Sequence, residues 1–168
     1  LTCYGRDIEP NVPHKKEKMI PVFQRLSDKL GDKRGIWRHD PTIFTDTYTR
    51  EYHVKAFEQI AEALNGYTRK CVISFVDVYA KNRKNMNALH TYELKEEKLK
   101  SFAKQLSEIA HGNGIEISTC AEYMNLSDCG IVHNCCIDKD LIEEIIGYRI
   151  KTGKDKNQRE GCGCIESV

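Results

Sequence analysis

Cys71-Val72-Ile73-Ser74-Phe75-Val76-Asp77 is a nearly unbroken apolar run of strand length that ends on a carboxylate. A run of this kind suits a strand buried on both faces, as in a parallel sheet. Just before it, Val54, Phe57, Ile60, Ala61 and Leu64 recur at helical spacing, and Asn65-Gly66 closes the stripe. Just after it comes the longest helical stripe, Leu94, Leu99, Phe102, Leu106 and Ile109, stopped by Gly112 and Gly114. A buried strand between two amphipathic helices is the repeat from which chains of βαβ units are built.

The same alternation continues outward in both directions. Towards the N-terminus, Gly35-Ile36-Trp37-Arg38 reads as a short strand closed by Asp40-Pro41, because the residue before a proline avoids the helical region. Met19, Phe23, Leu26 and Leu30 precede it as a helical stripe, with Pro21 in the first turn and Gly31 as the stop. Leu1–Tyr4 reads as the end of an earlier strand. Towards the C-terminus, Ile115–Thr119 is a further strand. Asp138 then caps a short helix carrying Leu141, Ile142, Ile145 and Ile146 up to Gly147.

Strands alternating with helices predict an α/β fold: a partial, TIM-barrel-like (βα)n domain with parallel strands and about four βα units. A complete barrel typically takes about 250 residues, so residues 1–168 are expected to be a single α/β domain, the C-terminal portion of a larger barrel. The opening residue is not Met, which suggests a natural start further upstream. A small doubly wound sheet is the alternative, but no glycine-rich phosphate loop follows any of the strands. Lys81–Asn87 reads as a loop or lid and Lys151–Glu160 as an exposed connection.

Composition narrows the function classes. Apolar residues make up 40% of the chain and charged residues 30%, ordinary values for a globular protein. The net charge of +1 provides no field that would draw nucleic acid or an anionic membrane. No apolar run approaches the roughly 20 residues that span a bilayer, and no signal peptide opens the chain. The expected compartment is therefore the cytoplasm. Eight cysteines in a chain of this size, without an export signal, point to reduced thiols or metal ligands rather than to a disulfide framework.

In parallel α/β folds the chemistry collects where the strands end. Those ends supply Tyr4 and Arg6, then Arg38 and Asp40, then Ser74 and Asp77, then Cys120 and Glu122. Arg38, Asp40, Asp77 and Glu122 form a candidate catalytic set, because neighbouring carboxylates push each other's pKa values apart and can divide acid and base roles. Each also has a plain structural reading: Asp40 ordering the turn at Pro41, Asp77 capping the next segment, Arg38 pairing with either. Among the cysteines, Cys3 and Cys71 lie in strand-like runs and read as small buried hydrophobes. Cys120, Cys136, Cys162 and Cys164 can together supply four thiolates to zinc or to an iron–sulfur cluster, although the spacing is not that of a zinc ribbon. Cys129 and Cys135 fall in the same loop, and Cys136 is preferred to its neighbour because it lies nearer the helix start. The six histidines show no HExxH arrangement; His39 and His133 fall near the rim, and packing or surface roles are expected for all six.

The stretches Leu1–Gly5, Leu26–Gly31, Trp37–Pro41, Val72–Asp77, Cys120–Glu122, Cys136–Asp138 and Asn157–Cys164 resemble, in order, a bacterial and archaeal family catalogued as domain of unknown function eighteen-forty-eight. The resemblance implies a barrel-like protein with more chain before Leu1. It also implies a cysteine-rich tail beyond Ser167, similar to the cluster-binding motif of radical enzymes. Some members are labelled by analogy with DNA repair photolyases. It adds weight to Cys120, Cys136, Cys162 and Cys164 as metal ligands, while the tail itself is absent from this chain. Three readings follow. The first is a fragment of an iron–sulfur, radical-type enzyme whose thiolate site lies beside a charged crevice and whose substrate is unknown. The second is an α/β module with a structural zinc site. The third is a barrel hydrolase using two of Asp40, Asp77 and Glu122.

Overall fold

The computed structural model describes residues 1–120, 122, 124–154 and 163–166. A π-helical turn, Lys15–Met19, runs into helix α1, Ile20–Leu30. The chain then passes through β1 (Trp37–Thr42), α2 (Arg50–Leu64), β2 (Lys70–Phe75), α3 (Arg83–Ala88), α4 (Glu96–Gly112), β3 (Glu116–Thr119), β4 (Val132–His133) and α5 (Lys139–Ile146).

The strands form one sheet in the order β1-β2-β3-β4, and every pairing is parallel. Strand order therefore follows chain order, without the reversal that defines a doubly wound sheet. This is an arc of a singly wound βα fold, and it does not close into a barrel. Trp37, Cys71 and Ile117 share one register level, as do His39, Ile73, Thr119 and His133 one strand-period above them. All four strand C-termini consequently lie on one rim.

Side chains alternate across each strand, so Trp37 and His39 share one face of β1 and Arg38 and Asp40 the other. Trp37 stacks on Phe57 of α2 with ring centroids 4.6 Å apart, which puts the helix layer on the Trp37 face. Between sheet and helices lie Trp37, Phe57, Leu64, Ile73, Phe102, Leu106 and Ile115, all fully buried. Each such side chain contributes about 1.5–3 kcal/mol by leaving water.

Several elements differ from the expectations above. Leu1–Tyr4 forms no strand; its terminal ammonium donates to Arg38 O (2.8 Å) and Leu1 O accepts from Trp37 Nε1 (2.8 Å), end contacts without a backbone ladder. β1 does not stop at Asp40-Pro41. It continues to Thr42, because the ladder shifts register between His39 and Thr42 and so passes over the proline, which has no N–H to donate. The polar stretch around Lys84 contains the short helix α3, and β4 is too short to carry a periodic signal. The apolar stripe of α5 is not a core face: no residue of that helix is buried, and Ile145 and Ile146 are exposed. Its cap matches the sequence, since Asp138 Oδ1 accepts from the N–H groups of Asp140 (3.0 Å) and Leu141 (3.2 Å).

Candidate functional site

On the face of β1 turned away from α2, Arg38 and Asp40 form an ion pair of 2.5 Å. The other arm of the guanidinium donates to Cys136 Sγ at 3.2 Å. Cys136 Sγ in turn lies 3.0 Å from Cys120 Sγ. Cys120 arrives at the end of β3, where its N–H continues the ladder to Ile73 O (3.0 Å), and Asn134 N–H bonds Thr119 O (2.8 Å) to bring in the loop that carries Cys136. Cys164 completes the group from far along the chain. Its buried sulfur accepts from the N–H groups of Cys136 (3.0 Å) and Ile137 (3.4 Å), and Ile165 N–H bonds Ile137 O (3.2 Å) alongside. Gly163 is what permits this approach, because a Cβ there would stand 2.5 Å from Cys135 Sγ.

Burial disfavours the Arg38 charge, but hydrogen bonds to Asp40, Cys120 and Cys136 outweigh it, and the group is held above the usual arginine range. Burial pushes the Cys136 thiol up and the neighbouring Cys120 thiol adds to this, while Arg38 pulls it down. Cys3, Cys71, Cys120, Cys129 and Cys136 are free thiols; Cys162 lies outside the described residues.

The four residues expected as a catalytic set divide into two pairs. Arg38 and Asp40 join the sulfurs. Asp77 and Glu122 line a cleft of about 590 Å³ at the ends of β1 and β2, floored by Thr42, Phe44 and Phe75 and walled by Tyr92, Leu94, Leu99 and Met124. Asp77 accepts a hydrogen bond from Tyr79 OH (2.7 Å), and Glu122 Oε1 accepts from Phe75 N–H (2.7 Å). Thr42 Oγ1 is buried beside the same cleft with no hydrogen-bond partner. Cys129 turns away from the rim sulfurs and donates to Lys100 O (3.5 Å), while Cys71 is fully buried in the core.

A second cluster escaped the sequence reading. Cys3, His39 and His53 bring ligand atoms within 4.8 Å of one another, the one such group of three among the described residues, and it could hold a metal ion. Cys3 Sγ lies 3.2 Å from His53 Nδ1, and His53 Nε2 lies 2.9 Å from Ile43 O. A carbonyl oxygen only accepts, so Nε2 carries the proton and Nδ1 presents its lone pair to the thiol. His39 is 2% exposed, packed edge-on against Trp37 and Phe57, and its Nδ1 has no partner. Burial, with the neighbouring His53 second, lowers the His39 pKa to about 3. Burial also lowers that of His53 and pushes the Cys3 thiol up to about 12. The signal was present in the spacing: His53 falls four residues before Phe57 on the core face of α2, and His39 two residues after Trp37 on one strand face. His133, the other histidine expected near the rim, sits on β4 with Nδ1 3.4 Å from Thr119 Oγ1.

A family model described as "Domain of unknown function (DUF1848)" matches residues 1–168, the whole chain. Searches of curated proteins and of solved structures each found no match. No helix among the described residues is long and apolar enough to cross a membrane.

Proposed function

Since the chain belongs to the DUF1848 family, whose description assigns no reaction, we propose a function from the site itself: a thiolate metal centre of the iron–sulfur kind at the carboxyl rim, serving a radical-type enzyme that takes its substrate in the adjoining cleft. The observation that carries this reading is the meeting of Cys120 and Cys136 sulfurs at 3.0 Å under the Arg38 guanidinium, with Cys164 on the N–H groups of Cys136 and Ile137. The donor set fits the group. Thiols are the ligands such clusters take, and N–H donors aimed at sulfur are the outer contacts that tune them.

Cys120, Cys136 and Cys164, with Cys162 as the fourth, would hold the cluster. When bound, it supplies one-electron transfer. The chain's own residues do the rest. Arg38 holds positive charge against the sulfurs and against Asp40, offsetting thiolate charge. The aromatic and aliphatic walls of the cleft exclude water from a bound substrate, and the carboxylates of Asp77 and Glu122 orient it and move protons. Those two carboxylates share a cleft without Asp40, which favours them as the acid–base pair if the chain is instead a hydrolase.

Anaerobic purification tests the proposal. The protein should be brown, with iron and acid-labile sulfide that are lost together in Cys136→Ser. Colourless protein holding zinc at the same cysteines overturns the iron–sulfur assignment and leaves the structural-zinc reading. Protein whose iron and sulfide are unchanged in Cys120→Ser and Cys136→Ser overturns the rim site altogether.

A further inference from the structure

We propose that Cys3, His39 and His53 form a buried binding site for a single thiophilic cation of the zinc class, separate from the rim sulfurs. The site lies on the helix side of the sheet, where His39 packs against Phe57 of α2, whereas Arg38 and its cysteine partners occupy the opposite face of β1.

Geometry, orientation and donor chemistry all support it. Zinc sits about 2.0–2.3 Å from nitrogen and sulfur ligands, so a tetrahedral site spaces them by about 3.3–3.8 Å. The Cys3–His53 separation of 3.2 Å is already close to that, and the full triad within 4.8 Å needs only a small contraction. His53 is pre-oriented, because its Nε2–H is held by the Ile43 carbonyl and its Nδ1 faces the group; a ligating histidine anchored through its other nitrogen is the usual arrangement at metal sites. His39 Nδ1 is buried and has no hydrogen-bond partner, an arrangement that costs free energy and that coordination through that nitrogen would relieve. Cys3 is held in place as well, since its carbonyl accepts from Tyr52 OH (2.9 Å) and the next carbonyl, of Tyr4, accepts from Lys15 Nζ (2.8 Å). One sulfur and two imidazoles with no carboxylate select zinc and its soft neighbours over magnesium or calcium.

Binding balances simply. The Cys3 thiol loses one proton to solvent as the sulfur–metal bond forms, and both imidazoles enter neutral through a lone pair. Three protein donors leave a fourth position for water, which makes this a candidate reactive site and not only a staple between the N-terminal segment and the fold.

Cobalt(II) titrated into the chelator-stripped full chain is the probe. The expected result is a sulfur-to-cobalt charge-transfer band, bleached by zinc, that keeps a component in Cys136→Ser and loses that component in Cys3→Ser. A band unchanged by Cys3→Ser, or abolished by Cys136→Ser, overturns the proposal. A second measurement needs no variant. Peptide mapping of wild-type protein after iodoacetamide treatment should show Cys3 alkylation slowed about tenfold or more by zinc, because a metal-bound thiolate is shielded; an unchanged rate overturns the site. Loss of the rim cluster in Cys136→Ser bears only on the proposed function, so the two ideas fail separately.

Discussion

Lowering the pH of the metal-stripped protein from 6.5 to about 4.5 should destabilise it steeply, and His39 sets much of the slope. Histidine in the unfolded chain takes up a proton near 6.5, whereas His39 in the fold stays neutral down to about 3, with burial as the main cause and His53, the Leu1 ammonium and Lys15 facing it as further positive groups. The unfolded chain therefore binds a proton that the native state refuses. Stability is full above 6.5 and drains away as the pH falls towards 3. Each pH unit inside that window is worth about 1.4 kcal/mol, so two units remove about 2–3 kcal/mol. That is a large part of the 5–15 kcal/mol, roughly, that holds a domain of this kind together. The window also lies at or above the ordinary range of the carboxylates whose pKa is lowered here, Asp32, Glu51 and Glu96, so their contribution comes later. Urea unfolding at closely spaced pH values, followed by fluorescence of the single, fully buried Trp37, measures the slope. His39→Phe keeps a ring packed edge-on against Trp37 and Phe57 and removes the titration, so its slope should be shallower by about one proton; His53, shifted the same way, sustains the remainder. Equal slopes for the two proteins between 6.5 and about 4.5 would refute the reasoning.

Three further outcomes follow from packing and backbone geometry. Phe57→Ala opens the space beneath Trp37 and His39 and should cost about 3–5 kcal/mol, read as a lowered urea midpoint. Asp138→Ala removes the α5 cap and the Lys70 ion pair (3.3 Å) and should cost about 1 kcal/mol, with Asp138→Asn recovering most of it in thermal melts. Gly130→Ala should be more damaging than Gly147→Ala, although both glycines have positive φ (75° and 80°), because an added Cβ meets Ser107 Oγ at 2.9 Å at Gly130 and nothing within 4 Å at Gly147. Only the backbone penalty of about 1–2 kcal/mol is expected at Gly147, and equal melting temperatures for the two variants would count against the clash.

The elements legible in the chain were those whose signal is local and repeated. The Val54–Leu64 stripe became α2, the Leu99–Ile109 part of the next stripe became α4 with Leu94 just before it, and the apolar run at Cys71 became the central strand β2, since periodic burial is written into spacing. Asp138 and Gly147 bounded α5 as read, because caps act within one turn. The elements that were misread depend on partners elsewhere. β4 exists only because Val132 and His133 find Ser118 and Thr119, and Leu1–Tyr4 fails as a strand because it makes end contacts with β1 in place of a ladder.

The candidate site divides in the same way. Its residue types were readable: the cysteines, and the charged residues at each strand end. Their grouping was not. That Arg38 and Asp40 belong with Cys120, Cys136 and Cys164, that Asp77 and Glu122 belong to a separate cleft, and that Cys3 meets His39 and His53, all follow from contacts between residues far apart in the chain. By itself the sequence determined the alternation of strands and helices and the rim on which polar residues collect, because hydrophobic period and chain direction are local properties. The tertiary structure alone decided which of these side chains come together, because their separation is set by sheet register and by long-range contacts such as those of Cys164 Sγ with the N–H groups of Cys136 and Ile137.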